Sequence, residues 1–423
     1  MSPRGGPERF AEQGEGPLAR LAPASAAAQD PEAPPSLRRY QVIFDQSFVD
    51  PDVRKVVRRL VRHGHEAYLV GGCVRDLLLS QQPKDFDVAT SARPEEVRGL
   101  FRNSRIIGRR FRLVHVLFHG GKVIEVATFR RDPKDGHADD SEDLLIRNDN
   151  VFGDAHEDAL RRDFTMNGLF YDVESSHILD WVGGMDHIRS RVVRTIGDPE
   201  KRFREDPVRL LRAVKFAGRL DLGIAPDVYD AIVYCRHDLR LAARPRVAEE
   251  ILRLLRSGHA RRSIYIAWET GVLDVLLPEL AALLYDSEGD DTPGARVWRQ
   301  LAYIDLRIQR GSPPDDTVLW TLLLLEAMKE ACEGQRDRAG AITSFLDTVI
   351  ERLAITRRNA DGMRRILAAL PRVQRGKPGR MGRSDLFGLV LDVAEADLMA
   401  EGRSTKSVEQ LRAKFLANRS RVD

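Results

Sequence analysis

Two aspartates separated by one residue follow a pair of glycines at short range. Asp85 and Asp87 stand in KDFDVAT, and Gly71 and Gly72 precede them in YLVGGCVRD. Since alternate residues of a strand point to the same face, a strand through this segment would place both carboxylates side by side. Neighbouring carboxylates repel each other unless a hard cation such as Mg²⁺ lies between them. A glycine pair lets the backbone approach a phosphate closely, so the two features together are typical of a site that moves a nucleotidyl group.

A third acid commonly completes a site in which two Mg²⁺ ions stabilise the attacking and the leaving oxygen. Two candidates follow the aspartate pair. Glu125 opens EVATF on a predicted strand, and Asp163 stands in RRDFT on a predicted helix. We prefer Asp163 slightly, but the choice stays open. Glu125 could instead be a charge on an edge strand, and Asp163 could form a salt bridge with a neighbouring arginine.

A second polar group lies further along the chain. Glu205, Asp206 and Arg209 form the pattern E-D-x-x-R at a predicted helix start. Asp206 and Arg209 are three residues apart and would share one helix face. A carboxylate and a guanidinium complement the amino donor and the ring acceptor on the edge of adenine, so the pattern predicts selection of a nucleotide base. The alternative is an ordinary ion pair at the start of a helix.

These side chains need a sheet and helices to position them. The apolar run that ends at the glycine pair predicts a strand, a helix opens near Val74, and a second strand carries Asp85 and Asp87. Two strand-like runs, residues 106–118 and 122–129, are joined through a Gly-Gly pair and predict a hairpin. Residues 157–171 are predicted as a helix, and from Pro199 the pattern is helical almost to the end.

The pattern predicts four parts. Residues 1–36, rich in Pro, Gly and Ala, form a disordered tail. Residues 37–172 form a head that carries the candidate carboxylates, residues 173–260 a neck that carries E-D-x-x-R, and residues 261–423 a helical body and tail. The expected fold class is therefore α+β, with a small mixed or antiparallel sheet in the head followed by an all-α neck, body and tail.

The composition says more about the cellular compartment of the protein than about its binding partner. Of 423 residues, 43% are apolar and 31% charged, as in a soluble globular protein, and the formal charge of +3 is too small to identify a ligand. Three cysteines without C-x-x-C spacing argue against a disulfide framework or a disulfide-linked partner. No apolar run is long enough to cross a membrane and the N-terminus has no apolar signal core, so we expect a cytoplasmic protein.

GGCVRD followed by KDFDVAT resembles the class II nucleotidyltransferases, which comprise bacterial poly(A) polymerases and CCA-adding enzymes. The resemblance is specific over residues 68–220 and continues as a helical body to about residue 400. It implies that the head is catalytic, that the neck recognises the nucleotide base, and that the helical body and tail bind RNA. One departure is Cys73, where many poly(A) polymerases of this family have a third glycine. Further segments that resemble the family, in the same order, are IIGRRFRLVHV, EVATFR, RRDFTMNGLFYD and REDPVRLLRAVKFA.

The resemblance implies template-independent transfer of a nucleotide to RNA, with ATP as substrate, two Mg²⁺ ions as cofactors and pyrophosphate as product. It makes Asp85, Asp87 and Asp163 the catalytic residues. Asp85, Asp87 and Glu125 are the expected metal ligands. The residues expected to bind or position the nucleotide are Gly71, Gly72, Arg75, Asp76, Arg161, Arg162, Asn167, Glu205, Asp206, Arg209 and Arg212.

The segment GRRFRLVHV resembles the poly(A) polymerase form rather than the CCA-adding form. Its arginines, Arg109, Arg110 and Arg112, suit sequence-independent contacts to RNA phosphates. We therefore expect a poly(A) polymerase that acts on RNA 3′ ends. The alternatives are a tRNA CCA- or A-adding enzyme and, from another class, a non-catalytic RNA-binding protein on the same scaffold.

Overall fold

The structure is a computed structural model that describes residues 37–45, 47–108, 112–131, 151–285 and 289–419. The chain divides into two compact units, Met1–Asp198 and Pro199–Asp423. The predicted tail, residues 1–36, and two of the predicted RNA-binding residues, Arg109 and Arg110, lie outside the described residues.

The first unit is built on an eight-stranded sheet with the strand order β1-β8-β7-β2-β3-β6-β5-β4. Neighbouring strands are antiparallel except β3 and β6, which are parallel. The elements are β1 (Arg38–Gln41), α1 (Pro51–Arg62), β2 (Ala67–Val70), α2 (Gly72–Leu78), β3 (Asp87–Thr90), α3 (Pro94–Leu100), β4 (Ser104–Ile107), β5 (Leu113–Leu117), β6 (Val123–Thr128), α4 (Ala155–Leu160), β7 (Leu169–Asp172), β8 (His177–Asp180), α5 (Gly184–Arg189) and β9 (Val192–Val193).

Hydrophobic periodicity explains how this sheet is covered. Val53, Val56, Val57 and Leu60 recur at helical spacing on α1, and all four are fully buried. Helices α1 and α3 pack against strands of the sheet. A second apolar cluster holds α4 close to the strands β2, β3, β7 and β8. Its members are Val70, Ala89, Phe129, Ala155, Ala159, Phe170 and Leu179.

The second unit is helical apart from one short strand in its described part. Its core surrounds α14, in which every residue from Thr317 to Met328 is buried. No helix among the described residues is long and apolar enough to cross a membrane. The elements are α6 (Pro199–Glu205), α7 (Val208–Leu220), β10 (Gly223–Ile224), α8 (Pro226–Cys235), α9 (Arg244–Leu255), α10 (Ala260–Glu269), α11 (Val272–Leu276), α12 (Pro278–Tyr285), α13 (Pro293–Gln309), α14 (Asp316–Ala331), α15 (Arg338–Leu353), α16 (Arg357–Gln374), α17 (Phe387–Ala400) and α18 (Lys406–Arg419).

The predicted fold class is confirmed, since a mixed sheet is followed by a long helical part. The predicted hairpin is also present, as β5 and β6 pair antiparallel. The sheet nevertheless continues past residue 172, the predicted end of the head, because β8 pairs with β7 and β1. The first unit ends at Asp198. The division of the helical part at residue 260 stays a prediction.

The prediction of one helix over residues 157–171 is wrong. Helix α4 ends at Leu160, a 3-10 turn covers Thr165–Asn167, and β7 begins at Leu169. Tertiary pairing decides this, because β7 has strand neighbours on both sides, in β2 and β8. The backbone N–H of Thr165 also donates to the carbonyl of Arg194, which holds this segment out of a helix.

Two strand predictions also need correction. Residues 106–118 form not one strand but the paired strands β4 and β5. Asp85 is not on a strand with Asp87, because β3 begins at Asp87. The reason is that Asp87 pairs with Val70, the last residue of β2, so the hydrogen-bonded ladder between these strands ends there. Strand alternation therefore does not align the two aspartates.

Candidate active site

Asp87 lies where three strands meet a glycine turn. It pairs across the sheet with Val70 on one side and with Glu125 on the other. Gly71 follows Val70 with φ +73, a conformation that favours glycine. A Cβ on Gly71 would lie 3.2 Å from Arg162 Nη1 and 3.9 Å from Asp87 Oδ2. A side chain at position 71 would thus crowd the opening between the aspartate and the arginine.

The carboxylates at this point destabilise one another. The pKa of Asp87 rises from 3.8 to about 6, because surrounding protein atoms desolvate its carboxyl and because Glu125 and Asp85 add negative charge. Arg162 opposes this rise. Asp87 still has solvent access, as does Glu125. Although Asp85 lies outside the strand, its negative charge therefore acts on Asp87, as the charge of Glu125 does.

Arg162 is held in place from two sides. Its guanidinium lies 5.1 Å from the ring centroid of Phe170 on β7. Its Nη2 donates to Asp158 Oδ2 at 2.9 Å, and Asp158 belongs to α4. The helix that covers the apolar cluster therefore also sets the position of a cation beside Gly71.

A buried polar network connects three of the sequence motifs. Arg75 and Asp76 are only 3% and 6% exposed, and Arg75 Nη2 lies 2.6 Å from Asp76 Oδ1. Arg75 Nη1 donates to Asn167 Oδ1 at 2.7 Å, and Asn167 Nδ2 donates to Asp163 Oδ1 at 2.9 Å. These residues hold one another in fixed orientations, and a direct contact of Arg75 or Asp76 with a nucleotide stays a prediction.

The donor set fits a hard divalent cation. Asp87, Glu125 and Asp85 supply only carboxylate oxygens, and their mutual repulsion is the condition that a cation relieves. Within the described ranges, no group of three or more His, Cys, Asp or Glu side chains is spaced as a ready-made metal site. Asp163 differs, because its Oδ1 accepts from both Asn167 Nδ2 and the backbone N–H of Phe164.

The E-D-x-x-R residues lie in the second unit, where each has a strong partner. Arg209 Nη1 donates to Glu205 Oε2 at 2.9 Å. Asp206 accepts two bonds from Arg246, at 3.1 and 2.9 Å, so its partner is a residue on α9 and not Arg209, the partner in the alternative interpretation. Sequence reasoning missed Arg246, since a residue forty positions away leaves no local signal.

The remaining predicted residues are placed as follows. Arg161 is the C-terminal cap of α4, and Arg212 lies on α7 with its guanidinium 5.6 Å from the ring of Phe216. Arg112 forms an ion pair with Glu95 of α3. Cys73 is buried, its Sγ donates to the carbonyl of Val70 at 3.2 Å, and burial raises its pKa to about 12.

Two family models match the chain. Residues 67–194 match the poly A polymerase head domain, and residues 221–284 match a domain described as the probable RNA- and SrmB-binding site of polymerase A. Poly(A) polymerase I of Escherichia coli O6:H1 is 38% identical over 335 residues, which are 76% of this chain and 71% of that protein. The chain belongs to the poly(A) polymerase family.

Other relatives of the chain are named CCA-adding enzymes. The CCA-adding enzyme of Geobacillus stearothermophilus is 41% identical over 227 residues, 53% of this chain and 54% of that protein. The crystal structure of the Bacillus stearothermophilus CCA-adding enzyme with CTP has a TM-score of 0.65 and 29% identity, covering 87% of this chain and 83% of that one.

Membership in the poly(A) polymerase family confirms the resemblance that the glycine and aspartate motifs indicated, and it confirms the predicted enzyme class, a nucleotidyltransferase. The head-domain match includes Gly71, Asp85, Asp87, Glu125 and Asp163. The individual roles of these residues stay predictions.

Proposed function

We propose that this protein transfers AMP from ATP to the 3′-hydroxyl end of RNA, without a template and with release of pyrophosphate. The observation that carries the proposal is the alignment of Asp87 and Glu125 on adjacent strands beside Gly71, where desolvation and the charge of Glu125 raise the pKa of Asp87 to about 6. A site that gathers negative charge next to an open glycine turn suits divalent cations and a polyphosphate.

Asp85, Asp87 and Glu125 are the residues that would hold two Mg²⁺ ions. When bound, such ions activate a hydroxyl nucleophile and neutralise a leaving pyrophosphate. We assign the third carboxylate to Glu125 rather than Asp163. The support is that Glu125 is in register with Asp87, whereas Asp163 Oδ1 is occupied by bonds from Asn167 and Phe164.

Arg162 and Gly71 are assigned to the triphosphate. Arg162 supplies a guanidinium beside the carboxylates, and the absence of a side chain at Gly71 leaves room for phosphate oxygens there. Asn167 acts as a positioning residue, because it joins Arg75 to Asp163 by two hydrogen bonds. Selection of adenine is assigned to Asp206 and Arg209.

A second candidate function is addition of CCA or A to tRNA. The likeness to the CCA-adding enzyme over 87% of this chain supports it. Longer coverage by poly(A) polymerase I, 76% of the chain against 53% for a CCA-adding relative, favours the first proposal. The two functions share their chemistry and differ in the nucleotides used and in the point at which addition ends.

The deciding experiment supplies Mg²⁺, one nucleoside triphosphate at a time, and either unstructured RNA or tRNA without its CCA end. We expect long tails from ATP on unstructured RNA and little incorporation of CTP. Asp87→Asn and Glu125→Gln should each lower AMP transfer by at least about a hundredfold, since each removes a charge that acts in the transition state.

Asp385→Asn and Glu333→Gln are matched controls, because both residues are exposed and lie in the second unit. Both controls should keep full activity. Incorporation of two C and one A on tRNA, followed by a stop, would replace the proposal with the second candidate. RNA binding without any transfer by the wild-type protein would instead indicate a non-catalytic scaffold.

A further inference from the structure

Four polar residues form one row across four strands. Asp87 on β3 is opposite Glu125 on β6, Glu125 is opposite His115 on β5, and His115 is opposite Arg105 on β4. Residues directly opposite each other on neighbouring strands project to the same face of a sheet. Arg105 therefore lies on the face that carries the candidate catalytic carboxylates. All four residues belong to one segment of the chain, residues 87–125.

This face is accessible along the row. Glu125 and Arg105 are exposed and His115 is partly exposed. The residues that alternate with them project to the opposite face, where α3 packs against β4, β5 and β6. Those buried residues are Val114, Val116, Ile124 and Val126. A ligand can thus reach the row from Asp87 to Arg105 without displacing a helix of the described structure.

Charge changes sign along the row. Two carboxylates come first, then His115, whose Nε2 lies 3.4 Å from Glu125 Oε1, and then the guanidinium of Arg105. Arg105 forms no ion pair with any other described residue. Because neighbouring strands are about 4.8 Å apart, the backbone of Arg105 is about 10 Å from that of Glu125. An anion bound by Arg105 would therefore be near the carboxylates without touching them.

The reaction geometry indicates which anion this is. Displacement at the α-phosphorus is in line, so the attacking hydroxyl and the leaving pyrophosphate occupy opposite sides. Gly71 and Arg162, assigned above to the triphosphate, lie on the β2 side of Asp87. His115 and Arg105 lie on the other side, beyond Glu125. The acceptor RNA then approaches across β6, β5 and β4.

We propose that Arg105 binds the phosphodiester group next to the 3′-terminal nucleotide of the acceptor RNA. This rests on the proposed function, because it assumes that the carboxylates are the reaction centre. A guanidinium binds a phosphate through two parallel N–H donors, which would set the distance of the terminal ribose from Glu125. The competing interpretation is that Arg105 only protects an edge strand from pairing with another chain.

The test measures KM for a short oligoadenylate and for ATP in Arg105→Gln, Arg105→Lys and the wild type. It uses two primers, one natural and one with a neutral methylphosphonate at the last linkage. Arg105→Gln should raise KM for the natural primer about tenfold and leave KM for ATP unchanged, since one charge-assisted contact is lost. Arg105→Lys should recover part of this loss.

The neutral linkage should raise KM about tenfold in the wild type and should have no further effect in Arg105→Gln. Arg98→Gln is the matched control, because Arg98 is an exposed arginine on α3, which packs on the opposite face. Arg98→Gln should change KM for the primer less than about twofold. Equal effects of Arg98→Gln and Arg105→Gln, or an additive effect of the neutral linkage in Arg105→Gln, would overturn the proposal.

Failure of the proposed function is distinguishable from failure of this inference. If the wild-type protein transfers no AMP, the affinity for both primers is measured by fluorescence anisotropy in EDTA. A preference for the natural primer that is lost only in Arg105→Gln would still support a phosphate site at Arg105. No preference in the wild type would exclude it.

Discussion

At the scale of single residues, Asp87 has three structural neighbours that its local sequence does not reveal. It ends the ladder with β2, it is opposite Glu125, and it faces Arg162 across Gly71. The rise of its pKa to about 6 has a consequence for folding. A carboxyl whose pKa is raised in the folded state binds its proton more tightly there than in the unfolded chain, so its ionisation destabilises the fold above that pKa.

Asp87→Asn should therefore stabilise the metal-free protein at pH 7.5. A shift from 3.8 to about 6 is worth roughly 3 kcal/mol if fully expressed, and solvent access to Asp87 reduces this to about 1 kcal/mol. The gain should shrink as the pH falls from about 6 and disappear below about pH 3.8, where the carboxyl is protonated in the folded and the unfolded chain alike. Urea unfolding in EDTA across this pH range measures it.

Magnesium should reverse the order of stability of Asp87→Asn and the wild type. It stabilises the wild-type protein by binding to the folded carboxylates, and this stabilisation should be weaker in Asp87→Asn. Asp385→Asn, on the surface of the second unit, should show neither effect. Equal stability of Asp87→Asn and the wild type at pH 7.5 in EDTA would contradict the raised pKa of Asp87.

At the scale of elements, the corner between α6 and α7 is held by ion pairs within the corner and by an ion pair to α9. Glu205 accepts from Arg202 and Arg209, both at 2.9 Å, within this corner. Asp206 is held by Arg246 of α9. The orientation of the predicted base-reading carboxylate therefore depends on a helix outside its own motif.

Arg246→Ala should relax the choice of nucleotide. Without the two N–H donors of Arg246, Asp206 is free to turn, and the ratio of kcat/KM for ATP to that for CTP should fall about tenfold. The effect on stability should stay below about 1 kcal/mol, because the Arg246 side chain is 56% exposed. Steady-state kinetics with each nucleotide measures the ratio.

Arg253→Ala is a suitable control on the same helix. Arg253 is also exposed and pairs with Glu249 and Glu250, not with Asp206. Its ratio of ATP to CTP use should match that of the wild type. If Arg246→Ala prefers ATP over CTP as strongly as Arg253→Ala does, the prediction is wrong, because Asp206 then does not need Arg246 to select the base.

At the scale of the whole molecule, each unit has its own core, and the core of the second unit contains buried charge. Lys329 on α14 lies 3.0 Å from Glu326 Oε1 and 2.5 Å from Asp397 Oδ1 on α17. Glu326 and Asp397 are both 1% exposed. Burial raises the pKa of Asp397, and Lys329 counteracts that rise.

Lys329→Met should destabilise the second unit by about 3 kcal/mol, because it leaves two buried carboxylates with fewer partners. The deficit should shrink as the pH falls from 8 to 5, since losing Lys329 raises the pKa of Asp397 further and protonation then removes the unpaired charge. Urea unfolding measures both effects. Lys406→Met, an exposed lysine on α18, should change stability by less than about 0.5 kcal/mol. Equal unfolding midpoints of the two variants would show that Lys329 is not needed to compensate this charge.

The sequence by itself determined the family, the α+β fold class and the identity of the main polar residues. Local patterns suffice for this, because a glycine pair, a D-x-D motif and the helical spacing of Val53, Val56 and Leu60 reflect requirements of neighbouring residues. The hairpin of β5 and β6 was predictable for the same reason, as its strands are separated by a short turn.

Tertiary structure decided which of these residues meet. Strand order and register lie outside local sequence, because they depend on the pairing of segments far apart in the chain. Register set Glu125 beside Asp87, began β3 only after Asp85, and placed Arg105 on the face that carries Asp87 and Glu125. Pairing with β2 and β8 also turned the end of the predicted helix at residues 157–171 into a strand, since two rows of interstrand hydrogen bonds outweigh local helix propensity.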